Sequence, residues 1–184
     1  MSSSKDRILE AAVRLIEVGT DAGTLTVRQI ADEAGVAVGA INYHFQSKDN
    51  LLIQAVGQLV GAEANRWLDP APDAEPLERL RQIFKQTARV TAAYGTAGNL
   101  LVRQALLEGD FTSQRLILPL LREILGPDRP EAELRLLAFQ LITPMQDAFV
   151  RPEAFAAYSG IDIFDEAQRD AAIDMLIDNL LGEH

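Results

Sequence analysis

The stretch Thr26–Lys48, TVRQIADEAGVAVGAINYHFQSK, decides the fold. Thr26 and Gln29 form a T-x-x-Q capping box, in which two side chains satisfy backbone donors left orphaned at a helix start. Val27, Ile30, Ala31 and Ala34 then recur at i, i+3, i+4 and i+7, a spacing that predicts one helix with one buried stripe. Gly35 follows where the chain must turn, because a left-handed backbone there meets no Cβ clash. Val36 re-enters the core, and a second helix is expected from about Ala37 to Phe45. Two short helices around a glycine turn make a helix-turn-helix candidate.

The second helix has a face to spare. Val38, Ile41 and Phe45 share the side that must pack on the first helix, which leaves Gly39, Ala40, Asn42, Tyr43 and His44 pointing largely outward. Gly39 and Ala40 keep the front of the helix slim enough for close approach to a groove, while the other three carry polar tips suited to base edges or phosphates. Ser47 is the expected N-cap of the next helix. Lys48 in that first turn opposes the helix dipole, which Asp49 complements, so the lysine reads as part of an anion site rather than as a stabilising residue. On this reading, replacing Tyr43 or Lys48 leaves stability intact. Arg28, exposed early in the first helix, could reach the same partner.

From Lys5 to about Ala55 the chain resembles the DNA-binding domain of the TetR family of transcriptional regulators. The resemblance rests on the leading amphipathic helix DRILEAAVRLIEVG, on LTVRQIADEAGV, and on the closing run GAINYHF-x-SK-x-x-LL. It implies that Thr26, Tyr43, His44 and Lys48 hold phosphates, and that Arg28, Val38, Gly39, Ala40 and Asn42 sit where bases are met. Two positions depart from the family pattern. Ala37 stands where many members have a capping Ser or Thr, a loss worth roughly 1 kcal/mol. Val38 is apolar where polar readers are common, which favours a thymine methyl over a hydrogen bond.

Charge limits how such a domain could work. The 184-residue chain carries a formal net charge of -10. Residues 1–55 hold five cations (Lys5, Arg7, Arg14, Arg28, Lys48) against seven carboxylates, a net of -2. A basic footprint is absent, so useful affinity for DNA needs two copies on successive half-sites about 34 Å apart. From Ile161 to His184 seven carboxylates face one arginine, a net of -6, and this end is expected to point away from DNA. No cysteine is present, which excludes a disulfide framework, thiolate zinc sites and a cysteine nucleophile. With no signal-like start and no run of 18 apolar residues, a soluble cytoplasmic protein with no membrane partner is expected.

The remainder reads as helical throughout, giving an all-α fold with a helix-turn-helix domain over residues 1–55 and a ligand-binding and dimerisation domain over 56–184. Asp49 to Leu68 forms a connecting helix that ends at DPAPDAEP, where three prolines stop it. Five more helices are expected over Pro76–Tyr94, Asn99–Leu107, Thr112–Leu125, Glu131–Val150 and Asp165–Leu181. The last two carry apolar stripes, and Leu134, Leu137, Leu141, Met145, Ile173, Leu176, Ile177 and Leu180 are the expected dimer interface. Such stripes are commonly intrachain core; Leu136, Phe139 and Phe149 add apolar surface on other sides of the first of these helices.

A ligand chamber is expected between the connecting helix and this interface. Its candidate lining is Phe84, Thr87, Thr91, Tyr94, Arg103, Gln104, Leu107, Phe111 and Phe139, a mixed set that suits a small molecule. Arg103 would need a counter-charge if buried and would be an ordinary surface arginine if exposed. Catalytic and metal sites are not expected, because His44 and His184 form no pair and no nucleophile triad can be named; no cofactor is implied. These readings converge on a homodimeric, ligand-responsive repressor that binds a palindromic double-stranded DNA operator and is released by a small molecule. The alternatives are an activator of the same fold and a helical small-molecule sensor or carrier that does not bind DNA.

Overall fold

Ser3 starts the first helix with a capping box of its own, its hydroxyl accepting from the Asp6 amide while the Asp6 carboxylate accepts from the amide of Ser3. The computed structural model describes residues 3–18, 23–68 and 74–182, without the side chains of 63–68. Helix α1 (Ser4–Glu17) packs on α2 (Val27–Ala34), α3 (Val38–Phe45) and α4 (Lys48–Leu68). The Thr26–Gln29 capping box is present as the spacing predicts, with the Gln29 amide 3.2 Å from Thr26 Oγ1 and the Thr26 amide 2.9 Å from Gln29 Oε1. Gly35 takes φ 62° and ψ 44°, the left-handed turn expected of it. Ile8, Ala12, Ile30, Ile41, Leu51 and Leu52 then close a dry core.

That core continues past residue 55. Val56 and Leu59, further along α4, are buried in it, so α4 runs unbroken across the expected domain boundary. Of the proline-rich connection DPAPDAEP, residues 69–73 lie outside those described. The chain continues in α5 (Pro76–Ala93), α6 (Gly95–Glu108), α7 (Thr112–Leu116), α8 (Leu118–Leu125), α9 (Glu131–Val150), α10 (Pro152–Ser159) and α11 (Glu166–Leu181). No strand occurs among the described residues.

Three local features depart from the sequence reading, each for a backbone reason. GTAG is not a loop. Gly95 supplies a left-handed bend at φ 49°, and Gly98 lies already inside α6, so close to α5 that a Cβ would stand 2.3 Å from the Thr91 carbonyl oxygen. The expected helix over 112–125 is split at Ile117, because Pro119 has no amide to continue the ladder and its ring opposes the preceding turn. The RPEAFAAYSGIDIF connection contains α10, which opens on Pro152 at its first turn and ends on Gly160 at φ 75°.

A second core forms around Leu80, Leu121, Leu134, Ala138, Leu141, Ile163, Ile173 and Ile177. This corrects four positions of the expected dimer surface. Leu134, Leu141, Ile173 and Ile177 have no exposure at all, and Leu137, Met145, Leu176 and Leu180 are half-buried against the same core. The apolar stripe of α11 is met by α5 and α9, and that of α9 by α6, α7, α8 and α11. Phe149, expected to add outer surface, is also buried.

The two cores meet at the start of α6. Ala97 is fully buried in the N-terminal core, with Tyr94 and Leu101 packed beside it. Two residues on, Asn99 Nδ2 donates to the Phe149 carbonyl at 2.6 Å, tying α6 to the end of α9.

Ionic contacts fasten α11 across α5. Arg81 pairs with Asp174 and Asp178, and Lys85 Nζ lies 2.7 Å from Asp174 Oδ2. Burial pushes the Asp174 carboxyl up, but its hydrogen bonds from Lys85 and Arg81 outweigh this and hold it below its ordinary value of 3.8. A carboxyl depressed in the folded state contributes stability above its unfolded pKa and loses it as pH falls through the folded one. Asp174→Asn is therefore expected to lower stability at neutral pH and to lose less than wild type on acidification below about pH 5. Urea denaturation at stepped pH measures both; parallel acid profiles would show that this cluster does not govern them.

Candidate nucleic-acid interface

The outward face of α3 is open. Gly39, Asn42 and Tyr43 are exposed, Tyr43 to 84%, while Ala40 and His44 are half-buried and Ile41 and Phe45 face the core. Val38, expected on the packing side, is 39% exposed and stands at the leading edge of that open face. Tyr43 and His44 meet edge to face with ring centroids 5.0 Å apart. Ala37 occupies the N-cap position with an extended backbone and no side-chain hydrogen bond, the weak start expected from its lack of a hydroxyl.

The angle between α2 and α3 is set by a residue not singled out in the sequence. Arg7, on α1, donates through Nη2 to the carbonyl of Ala34 at 2.6 Å and to that of Gly35 at 3.0 Å. These are carbonyls at the end of α2 and in its turn, and α2 has no basic residue of its own in its last turn. The guanidinium therefore caps α2 from outside, where the dipole favours a cation. Its 27-residue separation from Ala34 is why local spacing could not reveal it.

Between α3 and α4 the chain makes a strained step. Gln46 has φ 67° and ψ -37°, an unusual conformation for a residue with a Cβ, and its amide donates to Asn42 O at 3.0 Å. Asn50 Nδ2 reaches the Phe45 carbonyl, and the Asn50 amide donates to Ser47 Oγ at 3.1 Å. Ser47 thus caps α4 as expected.

Lys48 requires a correction. Its ammonium donates to the carbonyls of Leu25 at 2.9 Å and Gly23 at 3.3 Å, so it ties the entry to α2 against the start of α4. Local stability does account for this lysine. The signal was out of reach of helix-dipole reasoning because its partners lie 23 and 25 residues earlier.

Most cations of this region are similarly engaged. Arg14 pairs with Glu33 at 3.1 Å, and Lys5 Nζ sits 5.8 Å from the centroid of the Phe45 ring. Arg28 is exposed and has no hydrogen bond or ion pair among the described residues. Thr26, exposed at the α2 start, uses its hydroxyl to donate to Gln29 Oε1 at 2.8 Å and to accept from the Gln29 amide.

The expected ligand lining is dispersed. Phe84 belongs to the second core; Thr91 is buried with its hydroxyl donating to the Thr87 carbonyl, and Thr87 is half-buried. Tyr94 packs on the N-terminal core instead. Gln104 is half-buried, but Arg103 is exposed and Leu107 is 77% exposed, so these do not enclose a chamber with Phe84. Phe111 and Phe139 come together elsewhere, with ring centroids 6.1 Å apart.

Lys48→Met is expected to lower unfolding stability by about 1 to 2 kcal/mol, because two charge-assisted hydrogen bonds to loop carbonyls are lost. Tyr43→Phe, which alters an exposed hydroxyl, should stay within about 0.5 kcal/mol of wild type. Chemical denaturation monitored by circular dichroism distinguishes them; an unchanged Lys48 variant would remove its structural role.

Comparison with known proteins meets this geometry at the same residues. The family described as bacterial regulatory proteins, tetR family, matches residues 8–55. The uncharacterized HTH-type transcriptional regulator YerO of Bacillus subtilis is 36% identical over 66 residues, which are 36% of this chain and 22% of that protein. The HTH-type transcriptional repressor KstR of Rhodococcus jostii is 34% identical over 85 residues, 46% of this chain and 39% of the relative. The chain thus matches less than half the length of either. Over nearly its whole length it shares a fold with Thermus thermophilus FadR, a TetR-family transcriptional repressor solved with lauroyl-CoA, at a TM-score of 0.64 and 24% identity, covering 98% of this chain and 96% of that one. Arg7, Gly35, Ala37 and Gln46 thus shape α3 inside the matched region or at its edge, and it is this N-terminal region, residues 8–55, that carries the likeness to the tetR family of bacterial regulatory proteins.

Proposed function

We propose that this protein is a ligand-responsive, DNA-binding transcriptional regulator that acts as a cytoplasmic homodimeric repressor and has no enzymatic role. The observation that carries the reading is α3: a short helix with an unpartnered outward face, fixed from behind by the Arg7 clamp and the Ile41 and Phe45 contacts. Val38, Gly39, Ala40 and Asn42 would meet base edges with Arg28 alongside. Tyr43, His44 and Thr26 would hold phosphates. Lys48 has used two of its three donors, so its share is a single remaining N–H together with the positive end of α4.

Electrostatics support a dimer. With four of the five cations in residues 1–55 engaged internally, one head offers little general attraction to a phosphate backbone, and a second copy doubles the few directed contacts. The interface would use surface that the second core leaves over: Leu136 and Met175, each 58% exposed, and the outer parts of Leu137 and Leu176.

Responsiveness would pass through α6. Ala97 lies in the head core, Gly98 against α5, and Asn99 on the end of α9, so a shift of α9 is transmitted to α4 by contact. Differential affinity between two such states on the order of 1 to 3 kcal/mol suffices for release. The acyl thioester held by the Thermus repressor supports a small-molecule effector in this fold.

Selection of bound DNA from a random-sequence library is the direct test. An enriched inverted repeat with half-site centres about 34 Å apart, or a multiple of that, is expected. Tyr43→Phe and Arg28→Ala should weaken binding to it without loss of stability. Recovery of no enriched sequence would remove the DNA-binding reading.

A further inference from the structure

Phe111 and Phe139 are each 43% exposed, an unusual placement for two large rings in contact. They wall a pocket of about 230 Å³ between α7 and α9, completed by Leu118 from α8 and by Gln114, Arg115 and Arg135. Its polar groups are poorly used. Gln114 is only 6% exposed, yet Oε1 has no hydrogen-bond partner and Nε2 reaches only 3.4 Å to Gln146 Oε1 and 3.5 Å to Thr143 Oγ1. Buried amides are normally satisfied, so this one awaits a water or a ligand. Arg115 makes no ion pair among the described residues, whereas Arg135 is shared with Glu131 at 2.9 Å.

We propose that this pocket is the effector site and takes a small carboxylate on an apolar body about one aromatic ring in size. The inference rests on the proposed ligand-responsive function. Size argues first: an apolar cavity of about 150 Å³ holds benzene, while drug-sized ligands occupy roughly 300 to 1,000 Å³. A single substituted ring fits between these limits and a long acyl chain does not. The Phe111 and Phe139 rings contact its faces and edges, and Leu118 its body. Arg115, which makes no ion pair among the described residues but lies near the Asp110 carboxylate, receives the ligand carboxylate in bidentate geometry. Gln114 turns its amide to a hydroxyl at the far end of the ring.

The site also has a mechanical outlet. Gln114 touches Thr143 and Gln146 on α9, the second of them less than one turn before Phe149, whose carbonyl Asn99 holds. A ligand that draws Gln114 inward changes what supports that end of α9.

Calorimetric titration of the full-length protein with 4-hydroxybenzoate, in the absence of DNA, tests the site separately from the regulatory reading. Saturable binding is expected, weakened at least about tenfold by Arg115→Gln and by Phe139→Ala, with 4-hydroxybenzyl alcohol binding correspondingly less well. Arg115 is exposed and makes no ion pair among the described residues, so its variant should melt within about 0.5 kcal/mol of wild type. No saturable binding up to millimolar ligand, or binding indifferent to both substitutions, overturns the proposal even if the protein binds its DNA repeat. Binding that follows the variants while DNA affinity stays unchanged upholds the pocket and removes ligand-responsive release.

Discussion

Three consecutive residues of α6 face three different parts of the molecule, and the arrangement of the two cores depends on them. Ala97 fills the core built by α1 to α4, Gly98 lies against the Thr91 backbone of α5, and Asn99 holds the Phe149 carbonyl at the end of α9. None of the three has much freedom. A methyl at Gly98 would overlap the Thr91 carbonyl oxygen, and Ala97 has no exposed surface. Packed interiors resist small continuous deformation and instead change between discrete arrangements. The start of α6 is therefore the place where a rearrangement in the C-terminal half must be passed to α4 or absorbed.

The electrostatics of the N-terminal region follow from how its cations are spent. Arg7 and Lys48 cap backbone carbonyls, Arg14 neutralises Glu33, and Lys5 lies over Phe45. Each of these contacts fixes the orientation of α2 or α3, and each removes a charge from the general attraction of a polyanion. In the proposed DNA-binding role, a helix held in place by its neighbours would lose less freedom on docking, which would offset part of what a basic surface supplies. Ala37 is the exception, since it leaves the front of α3 without a side-chain cap.

Helices that owe their limits to local chemistry were legible in the sequence. The Thr26–Gln29 box, the left-handed Gly35, the Ser47 cap and the uncapped Ala37 involve residues at most three apart, and all stand in the structure as read. Contacts made at a distance were not legible. Lys48 was correctly seen to oppose the dipole of its own helix, but its compensation comes from carbonyls that no helix-period argument reaches. Arg7 escaped for the same reason. Periodicity also identified the stripes of α9 and α11, but it could not tell Leu134, Leu141, Ile173 and Ile177, which the second core closes, from the half-buried positions beside them, because a period reports that a face is buried and not what buries it. The two glycines between the helices expected over Pro76–Tyr94 and Asn99–Leu107 act differently from one another: Gly95 makes the bend, while Gly98 permits close packing inside α6.

The burial of Leu134, Ala138 and Leu141 has a consequence for the other side of α9. At about 100° per residue, Leu136 points roughly 200° away from Leu134, and Phe139 lies about 60° from Leu136. Helix α9 thus has two apolar faces, one closed by the second core and one carrying Leu136 at 58% and Phe139 at 43% exposure. A second copy that covered Leu136 would approach the same Phe139 that walls the pocket with Phe111. Occupancy of the pocket and the packing of two copies would then act on one aromatic side chain. A ring braced by a bound ligand presents a different surface to its partner from a ring free to turn, so the contact between copies could respond directly to the effector, alongside the route through α6.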